Sequence, residues 1–384
     1  MRFFTKLEFQ MPRPKKSSRR KFLQGKAKSA PVGGDTVTTD SLADWVTDPH
    51  EEAYLIRIGR RAMACQFQVF LNAGQYAEDS EIAIAALDEI DALEAMLTVY
   101  RRDSEVAQVN QQATAEVVTL SDPLTELVEL SLELFELTGG AFDMTAGPLA
   151  ELWGQARRSG AMPTNEALRA ALANVGSQYI RFDQKKRQLR FLRPGVAINF
   201  GGIGKGFAIE AASNLLRLKG IENFLFHGGR SSVLACGKRA SGRGEEPWRV
   251  GLVHPLRPTE RLAEILLADR SLSTSGSQSQ SFHYQGRRYG HILDPRTGSP
   301  ADTGVLSATV LHPSAAWADA LSTAFFVMGP QEAMKCCKKY PETSAILVLP
   351  GRGTASVEIQ TYGLDSEDMR LVYDQKVTVK RQDA

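Results

Sequence analysis

A glycine-rich loop in the middle of the chain, Asn199-Phe200-Gly201-Gly202-Ile203-Gly204-Lys205-Gly206, places the strongest constraint on the fold. The apolar run at residues 196–200 predicts a strand before it, and residues 207–219 predict a helix after it. Glycines leave backbone N–H groups uncovered at a helix N-terminus, where an anionic phosphate is favoured. Lys205 adds a mobile positive charge. The pattern is typical of a nucleotide phosphate site, although a strand-to-helix turn without a ligand also fits it.

The loop matches neither common phosphate-binding template. A P-loop requires Gly-x-x-x-x-Gly-Lys-Ser/Thr. Here Asn199 stands at the first glycine and Gly206 follows the lysine, so no hydroxyl is placed to bind magnesium. A Rossmann fingerprint requires Gly-x-Gly-x-x-Gly, and Phe207 replaces its third glycine. The loop is therefore assigned to neither template.

Charge is distributed unevenly along the chain. The 384 residues carry a net charge of +2, but residues 1–30 hold ten Lys or Arg and one acidic residue, which leaves 36 basic and 43 acidic residues elsewhere. An acidic body argues against nucleic-acid binding, and no apolar run approaches the length of a transmembrane helix. We expect a basic flexible tail over residues 1–48 and a single domain over residues 49–384.

The basic tail contains Ser18-Arg19-Arg20-Lys21-Phe22-Leu23, which looks like a twin-arginine export motif. Export by that route also requires an apolar segment, whereas residues 24–29 are polar and charged. A degenerate signal and a plain basic tail both fit this pattern. The missing apolar segment favours a cytoplasmic location.

Helix and strand patterns alternate irregularly. Apolar spacing predicts helices over residues 80–100 and 122–138, the second with Asp122 as N-cap and Pro123 at its first helical position. Further patterns predict strands at 67–71, 223–227, 232–235, 248–253, 262–267, 307–311 and 344–349, a hairpin at 179–182 and 188–191, and helices at 315–326 and 331–339. Because strands and helices do not follow a strict βαβ order, an α+β layered domain is favoured over a doubly wound fold.

Two loops carry further candidate residues. In Tyr289-Gly290-His291-Ile292-Leu293-Asp294-Pro295-Arg296-Thr297-Gly298, a turn signature places His291 and Asp294 at a strand end. His291 could transfer a proton or contact phosphate, or it could simply hydrogen-bond within the turn. In the loop at residues 140–149, Asp143 and Thr145 could bind a purine or ribose, or their own backbone.

A third motif, Ala318-Asp319-Ala320-Leu321-Ser322-Thr323, predicts a metal site. In a helix, Asp319 and Thr323 lie four residues apart on one face. A carboxylate and a hydroxyl together suit magnesium, which takes few protein ligands and keeps substrate phosphates and water. The plainer alternative is a capping aspartate with a helix-facing threonine.

Taken together and in this order, the motifs resemble those of the ApbE family, the FAD:protein FMN transferases, over residues 55–350. The matching segments are Ala62-Met63, Tyr100 to Glu105 with Asn110, Gly140 to Asp143, Asn199 to Ala208, Thr274 to Gly276, His291 to Gly298, and Ala318 to Thr323. The resemblance implies a layered α+β domain of mixed, mostly antiparallel sheets packed with helices.

The resemblance also implies a reaction and its site. The family cleaves the pyrophosphate of FAD with magnesium and transfers FMN to a threonine of an acceptor flavoprotein, with release of AMP. Residues implied to contact FAD are Met63, Tyr100, Ala141, Phe142, Asp143, Asn199, Lys205 and His291. The backbone carbonyl of Gly202, with Asp319 and Thr323, would hold magnesium. Lys205, Asp319 and His291 would be the catalytic residues. Family members are usually exported or membrane-anchored, so a periplasmic or inner-membrane location is the alternative to the cytoplasm.

Three departures from the family pattern keep other functions open. Asn199 replaces an aspartate, Arg230 replaces the aspartate of a Gly-Gly-Asp segment, and Ala316 stands where some relatives carry an extra aspartate. A flavin transferase is the leading hypothesis. An FAD pyrophosphatase, with water as acceptor, and a non-catalytic flavin-binding protein are the alternatives.

Overall fold

A computed structural model describes residues 55–241, 244–276, 281–372 and 377–382. Its helices are α1 Asp79–Leu97, α2 Glu105–Gln112, α3 Asp122–Leu137, α4 Gly147–Ser159, α5 Asn165–Leu172, α6 Gly204–Leu218, α7 Ala315–Met328 and α8 Pro330–Lys339. The expected tail over residues 1–48 lies outside the described residues. Within them, no helix combines the length and the apolar character needed to cross a membrane.

A central sheet organises the described residues and contains nine of their strands. In spatial order these are β1 Leu55–Ala62, β2 Cys65–Asn72, β6 Phe224–Gly228, β7 Ser232–Cys236, β12 Arg270–Gly276, β15 Ser307–His312, β16 Ser344–Pro350, β17 Val357–Tyr362 and β19 Val377–Gln382. The neighbours pair antiparallel, except that β17 and β19 are parallel.

The remaining strands form smaller sheets. They are β3 Val118–Thr119, β4 Ile180–Asp183 and β5 Gln188–Phe191; β8 Arg239–Ser241 and β9 Gly244–Glu246; β10 Trp248–His254, β11 Arg257–Leu267 and β18 Met369–Leu371; and β13 Phe282–Tyr284 and β14 Arg287–Tyr289. Below, "second sheet" means β10, β11 and β18.

Apolar layers pack on both faces of the central sheet, on one of them over only part of its length. On one face, α1, α6 and α7 pack their buried side chains against alternate strand residues such as Phe67, Val69 and Phe226. On the other, the second sheet packs against Phe70 and Leu225. Successive strand residues point to opposite faces, so one strand serves both layers. Helix, sheet and second sheet thus stack in layers, and the predicted α+β class is confirmed.

The predicted strand over residues 196–200 is wrong, because these residues have no strand partner among the described residues. Their backbone groups are satisfied in another way. The Asn110 amide donates to the Ile198 carbonyl at 2.9 Å and accepts from the Ile198 N–H at 2.8 Å, and the Asn199 N–H donates to the Met144 carbonyl at 2.7 Å. The Asn110 side chain offers both a donor and an acceptor, so it makes the backbone hydrogen bonds that a neighbouring strand would otherwise make.

The N-cap expected at Asp122 is wrong by one residue. The Ser121 hydroxyl accepts from the Leu124 N–H and caps α3, so Asp122 lies in the first turn. Glu105 in turn accepts from the Ser121 N–H and hydroxyl, both at 2.7 Å. Ser104 caps α2 in the same way. The Ser104-Glu105 pair and Asn110, which the sequence presents as one motif, therefore serve the fold.

The turn between β1 and β2 is strained. Met63 and Ala64 form a two-residue connection with φ of +48° and +57°, a region that favours glycine. Replacing Ala64 with Gly removes the left-handed penalty but adds backbone freedom to the unfolded chain. We expect a net stabilisation of about 0.5 kcal/mol in urea unfolding. Ala161→Gly, at an exposed residue without a positive φ, should instead destabilise, and a loss of stability in Ala64→Gly would contradict the strain.

Candidate functional site

The glycine loop and the Asp319 motif meet at one end of two packed helices. Lys205 lies in the first turn of α6, and Asp319 lies on α7, 114 residues later in the chain. The Lys205 ammonium is 3.4 Å from Asp319 Oδ1 and 3.5 Å from Oδ2. Asp319 is only 4% exposed, whereas about a quarter of the Lys205 side chain remains open to solvent. The structure thus brings together two of the predicted catalytic residues.

Gly206 allows this approach of the two helices. A β-carbon at this position would lie 2.1 Å from the Ala315 carbonyl oxygen and 2.7 Å from Asp319 Cβ, far inside van der Waals contact. The Gly206 N–H donates to Asp319 Oδ2 at 3.0 Å. Because this N–H is one of the groups that a helix N-terminus leaves unpaired, the start of α6 holds the carboxylate directly.

Two buried serines hold the other carboxylate oxygen. Ser232 on β7 and Ser273 on β12 are direct cross-strand partners. Their hydroxyls donate to Asp319 Oδ1 at 3.1 Å and 3.0 Å. Sequence reasoning missed both residues, because a serine in a buried strand gives no periodic signal. Asp319 is therefore fixed from both oxygens, as a buried charge requires.

Oxygen donors suitable for a hard cation surround the predicted metal site. Thr323 is partly exposed one helical turn after Asp319, and its hydroxyl lies 3.1 Å from the Ser275 hydroxyl. A β-carbon at Gly202 would lie 3.9 Å from Thr323 Cγ2, so the predicted carbonyl ligand is close. The described residues hold no group of three or more His, Cys, Asp or Glu around a metal site. The donor set fits magnesium, which often relies on one or two carboxylates and substrate phosphates.

The loop that contains Ala141, Phe142 and Asp143 borders the same region. The Phe142 ring lies 3.5 Å from a β-carbon placed at Gly202, and Ala141 and Phe142 are buried. The Asp143 carboxylate accepts hydrogen bonds from its own loop and from a second loop. Oδ1 accepts from the Thr145 N–H at 2.8 Å and from the Ser177 hydroxyl at 2.7 Å. Oδ2 accepts from the Ser177 N–H. Asp143 therefore ties two loops together, and its contact with FAD stays a prediction.

Three other residues implied to contact FAD lie outside the helices and strands. The Asn199 Oδ1 accepts from the Gly201 N–H at 2.8 Å and shapes the glycine loop. Met63 lies in the strained turn between β1 and β2 and is partly buried. Tyr100 is 93% exposed just after α1, whose Leu97 side chain lies 3.7 Å from a β-carbon at Gly204.

Hydrogen bonds to Asp294 fix the conformation of the loop that carries His291. Asp294 accepts two hydrogen bonds from the Arg296 guanidinium at 2.8 Å each, and its carbonyl accepts from the Gly298 N–H at 2.8 Å. A β-carbon at Gly140 would lie 3.7 Å from Arg296 Cγ, so this loop and the Phe142 loop are neighbours. His291 is exposed at the start of the loop. Its catalytic role stays a prediction.

A cavity of about 290 Å³ lies beside Lys205 and is lined by Cys65, Gln66, His227, Gly229 and Arg230. Burial raises the pKa of the Cys65 thiol, against the opposing effect of Lys205. Burial, with the charges of Arg230 and Arg57, lowers the pKa of His227 to about 4. At neutral pH the thiol is therefore protonated and the imidazole uncharged, so neither is an ionised nucleophile or cation here.

Comparison with known proteins agrees with this geometry. A model of the ApbE family matches residues 63–347. The FAD:protein FMN transferase of Vibrio cholerae serotype O1 is 31% identical over 260 residues, which cover 67% of this chain and 76% of that protein. The enzyme of the same name from Haemophilus influenzae is 29% identical over 301 residues, covering 75% and 85%.

Solved structures show the same likeness. The ApbE protein of Thermotoga maritima matches with a TM-score of 0.69 at 30% identity, covering 77% of this chain and 94% of that one. The flavin transferase ApbE from Vibrio cholerae matches with a TM-score of 0.69 at 26% identity, covering 78% and 95%. Sequence motifs, fold and family match agree over most of the described residues: the chain belongs to the ApbE family.

Proposed function

We propose that this protein transfers FMN from FAD to a threonine hydroxyl of an acceptor flavoprotein, in a magnesium-dependent reaction that releases AMP. Family membership, and relatives named FAD:protein FMN transferase, support the transferase activity on FAD. The observation that carries the proposal is the convergence of Lys205, at a glycine-rich helix N-terminus, with the buried carboxylate of Asp319. This arrangement suits a pyrophosphate bound together with a divalent cation.

The bond changes define what the site must do. The threonine oxygen forms a bond to the phosphorus of the FMN half, the bond from that phosphorus to the oxygen of the AMP half breaks, and the threonine proton leaves to a base. Phosphoryl transfer depends mainly on positioning and on neutralisation of charge. When bound, magnesium would supply Lewis-acid polarisation of the phosphate oxygens. Asp319, Thr323 and the Gly202 carbonyl would hold it.

The chain's own residues supply the remaining functions. The Lys205 ammonium lies against Asp319, and its exposed portion leaves it able to neutralise a pyrophosphate oxygen. Ser232, Ser273 and the Gly206 N–H keep Asp319 in one orientation. Tyr100, exposed just after α1, would offer an aromatic face to the flavin or adenine ring. His291 would accept the threonine proton or position the phosphate.

The test is AMP release from FAD by the purified protein, with and without magnesium and with and without an acceptor flavoprotein domain. We expect release only when both are present, together with covalent FMN on the acceptor, detected by mass spectrometry. Release without the acceptor would instead identify an FAD pyrophosphatase. Tightly bound FAD without any AMP would identify a non-catalytic flavin-binding protein. Either of these results would overturn the proposal.

A further inference from the structure

The face of β1, β2 and β6 that looks away from the helices carries positive charge next to the site. Alternation along β1 places Arg57 and Arg61 on this face, whereas Arg60 points to the other side and pairs with Asp88 and Asp91 of α1 at 2.6 Å and 2.7 Å. Arg57 and Arg61 are exposed. No Asp or Glu occurs in the described strands β1, β2 and β6.

Polar side chains rather than an apolar layer cover this end of the sheet. Gln66 and Gln68 alternate on the same face of β2, and both lie across Gly59, where a β-carbon would be 2.8 Å from Gln66 Nε2 and 3.0 Å from Gln68 Cγ. His227 of β6 lies opposite Gln68 and is 3.0 Å from its Oε1. The second sheet packs on Phe70 and Leu225, and Arg57, the cross-strand partner of Phe70, marks the boundary of the polar end. We call the polar end the arginine face (Arg57, Arg61, Gln66, Gln68, His227 and Arg230).

The arginine face continues into the cavity beside Lys205. Gln66, His227 and Arg230 line that cavity, and Arg230 is exposed in a left-handed conformation with φ of +60°. At the cavity's other wall, a β-carbon at Gly229 would lie 3.9 Å from Lys205 Cδ. A segment that binds the arginine face can therefore extend directly to the residues that would hold the reacting phosphate.

His227 also leaves an unmatched polar atom on this side. Its Nδ1 is buried without a hydrogen-bond partner among the described residues. The lowered pKa keeps the ring neutral at pH 7. With Nε2 donating to Gln68, Nδ1 is a buried acceptor, so the imidazole adds polarity but no positive charge to this side. The exposed guanidiniums of Arg57 and Arg61 and the exposed amide of Gln66 together match a peptide that carries carboxylates and backbone N–H groups.

We propose that the arginine face docks an acidic segment of the acceptor protein and so brings the acceptor hydroxyl to the site. The proposal rests on the proposed function, because an acceptor protein must reach the phosphate from outside. Charge complementarity selects the partner: two exposed arginines, Arg57 and Arg61, on a strand without a carboxylate favour an acidic chain.

The test measures binding without FAD, so it stands apart from catalysis. The probe is a short fluorescein-labelled peptide with one threonine flanked by aspartates, compared with the same peptide carrying asparagines. Fluorescence anisotropy with the full chain should show tighter binding of the aspartate peptide, weakening with salt. The Arg57→Glu/Arg61→Glu double variant should weaken that binding by about tenfold or more. Equal binding of the two peptides would overturn the proposal.

A matched control makes the same charge change elsewhere. Arg181 and Arg190 are exposed cross-strand partners on β4 and β5, and Arg181→Glu/Arg190→Glu should leave peptide binding within about twofold. FAD affinity, followed by flavin fluorescence, should be unchanged in both double variants. A loss of FAD binding in Arg57→Glu/Arg61→Glu would assign these arginines to the cofactor instead and would overturn the proposal.

Two further experiments distinguish the acceptor protein from two other candidate ligands of the arginine face, the chain's own acidic segment and a membrane surface. Asp48, Glu51 and Glu52 precede β1 in the sequence. If replacing them with amides in the full chain tightened aspartate-peptide binding by about tenfold, the chain's own acidic segment would be the occupant. Binding to phosphatidylserine vesicles that depends on Arg57 and Arg61, with no peptide binding, would identify a membrane surface. Either result would overturn docking of an acceptor.

Discussion

Replacing Asp319 with Asn is expected to lower the proposed magnesium-dependent AMP release from FAD by about a thousandfold, because losing the proposed anionic ligand of the cation would remove several kcal/mol of transition-state stabilisation. Asparagine is the informative choice because it has nearly the same shape. Its oxygen can still accept from the Gly206 N–H, and its amide can donate to Ser232 and Ser273 if those hydroxyls rotate. The fold should therefore survive. The measurement is the initial rate of AMP release across a magnesium titration.

Asp103→Asn is the matched control for this experiment. Asp103 is also a carboxylate paired with a cation, Arg101 at 2.9 Å, but it is exposed on the surface. We expect wild-type rates and wild-type magnesium dependence from it. Circular dichroism should show that both variants are folded. A rate within about threefold of wild type for Asp319→Asn would exclude this carboxylate as the cation ligand, whatever role Lys205 retains.

The sequence predicts the candidate site residues Lys205, Asp319 and Thr323 better than it predicts the residues that hydrogen-bond to Asp319. Lys205, Asp319 and Thr323 stand in ordered motifs with unusual composition, so they could be named without coordinates. Ser232 and Ser273 could not, because their role depends on the register that pairs β7 with β12. The register depends on how the whole sheet is assembled, so a single serine in an apolar strand does not indicate which residue will lie opposite it.

The same limit explains the error over residues 196–200. An apolar run indicates burial, and burial alone does not distinguish a strand from an extended segment held by side chains. Asn110 supplies the partner groups for Ile198 from 88 residues away. Long, periodic elements such as α1 and α3 were predicted correctly because their signal is contained within the element. Strand β1 was missed because Arg60, at a helix-facing position where it pairs with Asp88 and Asp91, interrupts the alternation of apolar and polar residues.

The departures from the family pattern differ in their structural consequences. Asn199 keeps the oxygen that accepts from the Gly201 N–H, so the shape of the glycine loop does not depend on the charge of an aspartate. Ala316 is buried, and its N–H donates to Glu210 at 3.1 Å near the start of α7. Arg230 changes the charge beside the cavity, where the arginine face begins. Among these three positions, Arg230 is therefore the one where a change in partner preference is expected.

Replacing Gly206 with Ala is expected to destabilise the protein by about 3 kcal/mol or more, the upper end of the cost of overpacking. The new methyl group would lie 2.1 Å from the Ala315 carbonyl and 2.7 Å from Asp319 Cβ, so α6 and α7 must separate. Separation also breaks the bond from the Gly206 N–H to Asp319 and shifts the carboxylate from Lys205. Urea unfolding should report the stability loss, and flavin fluorescence should report weaker FAD binding.

Gly154→Ala tests whether this effect comes from the site. Gly154 is also a helical glycine, in α4, and a β-carbon there would meet only the flexible end of Arg158 at 3.4 Å. Alanine is the better helix former, so this variant should gain up to about 1 kcal/mol. The two substitutions are chemically identical and should have opposite signs. If Gly206→Ala were also stabilising, the helices would be free to separate at little cost, and the rigid support inferred for Asp319 would be wrong.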